Sequence, residues 1–178
     1  ALRLTMLLHD MGKPALKTVD ADGVAHFKKH ADESCAIAGK VLRRLKFDND
    51  TLYKVSKLVC YHDYRMPAAA RNVRRAMHKI GEDLFPLYME VRRADVLAQS
   101  DYLREEKIRN LDEIEELYHG ICLAKQCVSL KDLAVTGRDL IGAGMSPGKE
   151  IGEKLKELLE LVIEDPELNT KDELLRRL

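Results

Sequence analysis

Apolar residues recur at helical spacing along most of the chain, and this pattern predicts a structure made almost entirely of helices. Residues 1–8 are apolar on nearly all sides. Gly12 and Pro14 end this first helix, because glycine is the usual breaker at a helix C-terminus and proline cannot continue the hydrogen-bond ladder. A turn signal at residues 21–23 separates two short, partly apolar segments, which predicts a small hairpin or an ordered loop over residues 15–27.

Further helices follow from the same spacing in the rest of the chain. The predicted segments are 30–45, 72–80, 84–98, 108–122 and 151–162. Between the first two of these, residues 47–50 offer candidate N-caps for a helix whose apolar stripe continues to His62, and Asn169 or Thr170 can cap a terminal helix. Residues 135–152 are rich in glycine and include Pro147, so we expect a turn-rich connector between short helices there. The predicted fold class is therefore all-α.

Composition supports the helical class and indicates the cellular compartment. Aromatic residues make up 5% of the chain and tryptophan is absent, which is typical of helical proteins rather than of β-sandwiches or barrels. The four cysteines form no C-x-x-C pair, so we expect small buried or partly buried residues in a reducing compartment such as the cytoplasm. Neither a signal peptide nor an apolar run of roughly 20 residues, the length that spans a bilayer, is present, which predicts a soluble protein without a membrane partner.

The formal net charge is zero, but the two parts of the chain differ in sign. Residues 1–100 carry 18 Lys and Arg against 12 Asp and Glu, whereas residues 101–178 carry 12 against 18. A basic half is compatible with a phosphate-bearing partner, and ordinary solvated helix faces explain an excess of this size equally well. Charge alone therefore does not decide the function.

Five ionisable residues lie on apolar helix stripes or at the ends of helices. They are, in chain order, His9, Asp10, His30, His62 and Asp95. Burying such a group without a partner costs several kcal/mol, and a divalent metal ion can satisfy several of them at once. Imidazole and carboxylate ligands suit Mn, Fe, Co, Ni or Mg, and such an ion lowers the pKa of a bound water and polarises a phosphate oxygen. The set predicts a divalent-metal site.

Each of these histidines taken singly has a simpler explanation, because a lone histidine near a helix terminus more often forms a hydrogen bond with a backbone carbonyl. The combination of five residues favours the metal site. His26, His78 and His119 lack this placement, and we expect them at surface or capping positions.

Residues 7–14, Leu-Leu-His-Asp-Met-Gly-Lys-Pro, followed at a distance by Ala94-Asp95, resemble the HD superfamily of metal-dependent phosphohydrolases. The resemblance implies that three residues bind the metal, and that two histidines are further ligands or contact phosphate. The three are His9, Asp10 and Asp95, and the two are His30 and His62.

The same resemblance implies a catalytic role for His9, Asp10 and Lys13, with the lysine placed to contact a phosphate. The family pattern has one more histidine on an upstream helix, which this chain lacks. We therefore expect the site to be one ligand short.

A second, wider resemblance rests on segments spread over most of the chain. They are 23–27 with 30–31, 92–100, 133–141, 144–149 and 151–152. These segments are similar to the C-terminal region of bacterial class II tRNA nucleotidyltransferases, the CCA-adding and poly(A) polymerase family. The resemblance implies an N-terminally truncated HD-type helical bundle over residues 1–127 and a C-terminal helical tail over residues 128–178.

In that family, nucleotidyl transfer uses paired aspartates after a Gly-Ser in an N-terminal head. The pairs Asp20-x-Asp22 and Asp48-x-Asp50 do not follow Gly-Ser and lie in turn-like sequence, so we reject both as catalytic. Residues 1–8 have no capping residue before them, which indicates a cut. We expect the head to be missing from this chain.

The family resemblance also implies that this region holds tRNA, mostly through the sugar-phosphate backbone. Such contacts need basic side chains and exposed helix N-termini. The candidate residues are Arg71, Arg74, Arg75, Arg138 and Lys149. The simpler alternatives are a solvated helix face for the arginines at 71–75 and a plain loop at 148–149.

Three functions stay open at this stage. The first is the HD and tRNA-binding region of a tRNA nucleotidyltransferase, whose partners are the tRNA 3′ end and a nucleotide. The second is a metal-dependent phosphohydrolase or phosphodiesterase acting on nucleotides or RNA 3′ ends. The third is a non-catalytic helical scaffold, for example one that forms a homodimer.

Overall fold

Nine α-helices and one short hairpin make up the computed structural model, which describes all 178 residues. The helices are α1 (Leu2–Leu8), α2 (His30–Arg44), α3 (Asn49–Tyr61), α4 (Ala70–Ile80), α5 (Phe85–Ala98), α6 (Arg104–Leu123), α7 (Gly137–Gly142), α8 (Lys149–Glu164) and α9 (Lys171–Leu175). Strands β1 (Thr18–Val19) and β2 (Ala25–His26) pair antiparallel. The predicted all-α class is confirmed. None of the helices combines the length and the apolar character that a membrane span requires.

Local hydrogen bonds explain where several elements begin. At the start of α3, the side chain of Asp48 accepts a hydrogen bond from the Thr51 backbone N–H at 2.9 Å. In the hairpin, Asp20 Oδ1 accepts from the backbone N–H groups of Asp22 and Val24, which fixes the turn between β1 and β2. The aspartates that open the two rejected pairs thus stabilise a helix start and a turn.

The chain divides in space into two units. Unit 1 comprises Ala1–Met66 and Ile80–Asp112, and unit 2 comprises Pro67–Lys79 and Glu113–Leu178. The division at residue 127 into an HD-type bundle and a tail stays a prediction.

In unit 1, helices α1, α2, α3 and α5 pack against one another. One core cluster there consists of Leu8, Ala38, Leu42, Val55 and Val59. The buried residues lie four apart on α2 and on α3, so each helix buries one face against its neighbour. This packing places the start of α2 beside the end of α3, where the rings of His30 and His62 have centroids 5.0 Å apart.

Unit 2 has its own core, built around one face of α8. Its buried residues are Cys127, Leu133, Val135, Leu140, Leu158, Leu159, Val162, Ile163 and Leu174. The four residues from α8 recur at the helical spacing that the sequence predicted, and they contact α7, α9 and the connecting segments.

Two of the four cysteines form a disulfide, a pairing that the spacing of the cysteines in the sequence did not predict. Cys35 of α2 and Cys60 of α3 are bonded, and their Cα atoms are 4.9 Å apart. The physical reason is that α2 and α3 pack side by side, which brings residues distant in sequence within the span of a disulfide. Cys122 and Cys127 are free thiols.

Candidate metal centre

The five ionisable residues singled out from the sequence come together in unit 1. His9 directly follows α1 and precedes Asp10, His30 is the first residue of α2, His62 directly follows α3, and Asp95 lies within α5. The packing of these helices therefore gathers three helix ends and one helix face around a common point. That these residues bind a metal stays a prediction.

All three histidines hold their rings in the same way. The Nδ1 atom of each lies within hydrogen-bond distance of a backbone carbonyl three residues earlier, in the pairs His9–Met6 (2.7 Å), His30–Phe27 (2.9 Å) and His62–Val59 (2.7 Å). A carbonyl only accepts, so Nδ1 carries the proton and Nε2 of the neutral ring keeps its lone pair. Metal-binding histidines are typically oriented by such a bond on the other ring nitrogen.

These Nε2 atoms converge on the carboxylate of Asp10. Asp10 Oδ1 is 3.4 Å from His30 Nε2 and 3.6 Å from His62 Nε2. Asp10 Oδ2 is 3.3 Å from His9 Nε2 and 2.6 Å from the ammonium group of Lys13. The two oxygens of one carboxylate thus face two different groups of nitrogen atoms.

A divalent cation fits this arrangement. Asp10 Oδ1 is buried and has no hydrogen-bond partner. The Nε2 atoms of His30 and His62 lie 3.0 Å apart, and when both rings are neutral with Nδ1 protonated, neither has a proton to place between them. The donor atoms of Asp10, His30 and His62 all lie within 4.8 Å of one another, and imidazole with carboxylate is a set that first-row divalent ions prefer.

Charge and burial shift the pKa values of three groups at this centre. Burial lowers the pKa of His62, which favours the neutral ring that can bind a metal. The carboxylate of Asp95, with Oδ1 3.6 Å from Nε2, outweighs burial and raises the pKa of His9. Burial raises the pKa of Asp95, but the nearby ring of His9 and the hydrogen bond from Gln99 outweigh this effect, so the pKa lies below the ordinary value.

Gly12 and Ser34 bring the end of α1 against the start of α2. The Gly12 backbone N–H donates to Ser34 Oγ at 2.9 Å, and a Cβ atom at Gly12 would lie 2.6 Å from the carbonyl oxygen of His30. Only glycine permits this close approach, which sets the distance between Asp10 and His30. The sequence identified Gly12 as a helix breaker but did not reveal this second role, because its partner is distant in sequence.

Arg92 supports the centre from α5 and was also not predicted. Its Nη1 donates to the carbonyl oxygen of His62 at 3.0 Å, and the side chain is buried. This bond satisfies a carbonyl that the end of α3 leaves without a helical partner. The one indication in the sequence was that Arg92 lies three residues before Asp95 on the same helix. This spacing by itself does not predict a contact with His62.

The predicted RNA-contacting arginines of α4 differ in exposure. Arg71 and Arg75 are exposed, and Arg75 pairs with Glu164 at 2.5 Å. The expectation of an exposed basic face is wrong for Arg74, which is only 4% exposed. Its guanidinium donates to the carbonyl oxygens of Ile163 and Glu164 and to the side chain of Gln126. It therefore caps the C-terminal end of α8 instead of facing solvent.

Arg138 and Lys149 lie in unit 2, at the starts of α7 and α8. Arg138 lines an open groove of about 680 Å³ together with Gly137, Ile141, Pro147 and Gly148. Lys149, which follows Gly148 and begins α8, is almost fully exposed and pairs with Glu153 at 3.2 Å. Both cations are thus accessible at the glycine-rich connector that the sequence indicated.

Comparison with known proteins gives consistent matches along the chain. The family model described as tRNA nucleotidyltransferase domain 2 matches residues 25–178. The CC-adding tRNA nucleotidyltransferase of Thermus thermophilus is 30% identical over 175 residues, which cover 96% of this chain and 38% of that protein. The A-adding tRNA nucleotidyltransferase of Deinococcus radiodurans is 26% identical over 167 residues, which cover 89% of this chain and 37% of that protein. No solved structure matches the chain.

The chain thus spans less than two fifths of the length of these two curated relatives. Within that portion the family model extends from β2 through α9. The matches confirm the resemblance to tRNA nucleotidyltransferases, and the chain belongs to the class II tRNA nucleotidyltransferase family, in the region described as its domain 2.

Proposed function

We propose that this chain is the tRNA-binding part of a longer tRNA nucleotidyltransferase whose separate head carries out nucleotidyl transfer. The family match over residues 25–178 supports this proposal, as do the names of the relatives. The proposed partners are tRNA, the head of the same protein and the nucleotide that the head adds. Because one relative is named for adding CC and the other for adding A, we assign no nucleotide to this protein.

Four exposed cations of unit 2 are the proposed contacts to the RNA backbone. They are Arg71, Arg75, Arg138 and Lys149. Arg75 and Lys149 have carboxylate partners on the surface, but exposed ion pairs contribute little free energy, so a phosphate can replace those partners. Lys149 also begins α8, where the helix dipole and the first backbone N–H groups favour an anion.

Replacing all four cations by alanine is expected to weaken tRNA binding and to make it less sensitive to salt. Each lost phosphate contact lowers the slope of log affinity against log salt by about 1. Fluorescence anisotropy with labelled tRNA across a KCl series measures both effects. Lys40→Ala, at an exposed lysine of α2 in unit 1, is the matched control and should leave the slope unchanged. An unchanged slope in the fourfold variant would exclude this surface.

We further propose that His9, Asp10, His30, His62 and Asp95 hold a divalent metal ion in an HD-type site. The observation that carries this proposal is the buried Asp10 Oδ1, which has no hydrogen-bond partner and faces the Nε2 atoms of His30 and His62. A bound ion of this kind lowers the pKa of a bound water and polarises a phosphate oxygen. The proposed ions are Mg, Mn, Fe, Co and Ni, since the ligands are nitrogen and oxygen atoms only.

A second candidate function is phosphoester hydrolysis at this centre, and the position of Lys13 favours it. Its ammonium group lies 2.6 Å from Asp10 Oδ2 and 5.8 Å from the ring centroid of Phe27. An ammonium at the edge of a metal site can hold a phosphate oxygen by charge, as lysines do in other phosphate sites. The proposed catalytic residues are therefore His9, Asp10 and Lys13.

Hydrolysis of bis(p-nitrophenyl) phosphate with and without Mn²⁺ tests this second function. We expect Mn²⁺-dependent turnover that falls at least about tenfold in Lys13→Met, the loss expected when a group that stabilises the transition state is removed. Lys17→Met, at an exposed lysine four residues further on, is the control. Tight Mn²⁺ binding without any turnover would instead favour the scaffold hypothesis.

A further inference from the structure

A chain of hydrogen bonds leads away from the candidate metal centre through Asp95. Asp95 Oδ1 faces the centre, at 3.6 Å from His9 Nε2. Asp95 Oδ2 points the other way and accepts a hydrogen bond from Gln99 Nε2 at 2.8 Å. Gln99 Oε1 in turn accepts from Lys107 Nζ of α6 at 3.3 Å. The two oxygens of Asp95 therefore have different neighbours: Oδ1 lies near His9 at the centre, and Oδ2 accepts from Gln99 outside it.

The backbone of Gln99 is held independently of its side chain. Its N–H donates to the carbonyl oxygen of Asp95 at 3.2 Å, where it caps the end of α5. Its own carbonyl oxygen accepts from Arg104 Nη2 at 2.5 Å. Changing the side chain of Gln99 therefore leaves these main-chain bonds in place, so its contribution to Asp95 can be separated from its contribution to the fold.

Glutamine is suited to this position because one end of its amide donates and the other accepts. Asp95 Oδ2 requires a donor and Lys107 Nζ requires an acceptor, so these two neighbours fix the orientation of the amide. A lysine in direct contact with Asp95 would form an ion pair and compete with a metal for the carboxylate charge. A neutral amide orients the carboxylate and leaves its charge available.

We propose that Gln99 is a positioning residue that turns Oδ1 of Asp95 toward the metal, and that Lys107 holds the amide of Gln99 in the required orientation. This inference rests on the proposed metal site. Asp95 lies in the last turn of α5, and Gln99, the C-cap residue of that helix, follows four residues later. The side-chain amide of Gln99 donates back to Asp95 Oδ2, and this bond directs the carboxylate.

The test is Mn²⁺ binding to the full chain by isothermal titration, with Gln99→Met as the main variant. Methionine has a similar volume but neither donates to Asp95 nor accepts from Lys107. We expect its affinity to fall by about 10- to 100-fold, the range for loss of an outer-shell partner of a metal ligand. Lys107→Met should weaken Mn²⁺ binding by less than Gln99→Met does. Lys107→Arg, which retains a donor, should bind Mn²⁺ as the unsubstituted protein does. Ser100→Ala, at the exposed neighbour of Gln99, is the control.

Two further measurements separate positioning from a general structural role. Gln99→Met should unfold at the same temperature as the unsubstituted protein when a chelator is present, and it should change the visible spectrum of bound Co²⁺. Unchanged Mn²⁺ affinity in Gln99→Met, or weaker binding that merely follows a loss of stability in chelator, would overturn the inference while leaving the metal site intact. No Mn²⁺ binding by the unsubstituted protein would overturn the metal site and this inference with it.

Discussion

Asp10→Asn is expected to lower the affinity for Mn²⁺ by at least about 100-fold, the upper end of the loss seen for outer-shell partners, because it removes the charge of a direct ligand. Asp10 is the residue on which the three ring nitrogens converge, and its Oδ1 has no other partner. Asparagine keeps the size and shape of the side chain. A loss of binding therefore reports the charge and the second oxygen rather than a disturbance of packing.

Thermal unfolding with and without Mn²⁺ tests the role of Asp10 as a metal ligand more directly. Mn²⁺ at about 100 times its dissociation constant should stabilise the unsubstituted protein by about 2.7 kcal/mol and should not stabilise Asp10→Asn. In the presence of a chelator, the free energies of unfolding of the two proteins should differ by less than about 1 kcal/mol. This corresponds to a difference of roughly 2–4 °C in unfolding temperature for a chain of this size. The variant loses the ion pair with Lys13, but its new amide can donate toward the ring nitrogens of His30 and His62.

Asp22→Asn is the matched control, since Asp22 is exposed in the turn between β1 and β2 and has no contact with the centre. It should respond to Mn²⁺ as the unsubstituted protein does. Equal stabilisation of Asp10→Asn by Mn²⁺ would show that the ion binds elsewhere, and the proposed ligand set would then be wrong.

Arg74→Met is expected to destabilise unit 2 by about 3 kcal/mol or more, since hydrogen bonds from a charged donor contribute roughly 1.5–3 kcal/mol each. The buried guanidinium donates to the carbonyl oxygens of Ile163 and Glu164 at 2.7 and 2.9 Å. These carbonyls belong to the last turn of α8 and have no helical donor beyond them. Methionine fills the space but leaves the two carbonyls and the Gln126 side chain without this partner.

Hydrogen exchange read by mass spectrometry locates this effect, and thermal unfolding measures its size. The amides of α8 should lose protection, and the unfolding temperature should fall by roughly 6–12 °C. Arg71→Met, at the exposed arginine of the same helix, should change stability by less than about 0.5 kcal/mol. An unfolding temperature of Arg74→Met that matches that of Arg71→Met would contradict the capping role. Mn²⁺ binding in unit 1 should be unaffected by either substitution.

The buried position of Arg74 also determines how tRNA-binding experiments with α4 should be designed. A variant that replaces Arg71, Arg74 and Arg75 together removes a structural contact of unit 2 along with two surface cations. Weak tRNA binding by that variant would not separate the two causes. The surface test therefore retains Arg74 and changes Arg71 and Arg75 with the two cations of the α7–α8 region.

The helices and the burial of the candidate ligands could be predicted because both depend on short-range spacing. The stripe of α3 extends to His62, which is 2% exposed, and the stripe of α5 includes Asp95 at 14% side-chain exposure. A residue's place on a helix stripe follows from the 3.6-residue period alone, so an ionisable group on that stripe is visible before any tertiary structure is known. The same argument located the helix ends at Asp10 and His30.

The pairing of distant residues could not be predicted in this way. Arg74 and Arg75 are adjacent and look alike in sequence, yet one caps α8 from within the core and the other lies on the surface. Gly12 was recognised as a helix breaker, whereas its contact with Ser34 depends on the approach of α1 to α2. Likewise, Gln99 is an ordinary polar residue until Asp95 and Lys107 are seen on either side of it.

The sequence by itself determined the all-helical class, the positions of the helices, the membership of the tRNA nucleotidyltransferase family and the set of ionisable residues on apolar faces. Each of these depends on neighbours within a few turns or on motifs that are continuous in the chain. Only the tertiary structure decided that His9, His30 and His62 converge on Asp10, that Asp95 of α5 lies beside His9, and that Asp10 Oδ1 has no hydrogen-bond partner there. Convergence depends on how the helices pack, and packing is set by the complementary shapes of side chains far apart in sequence.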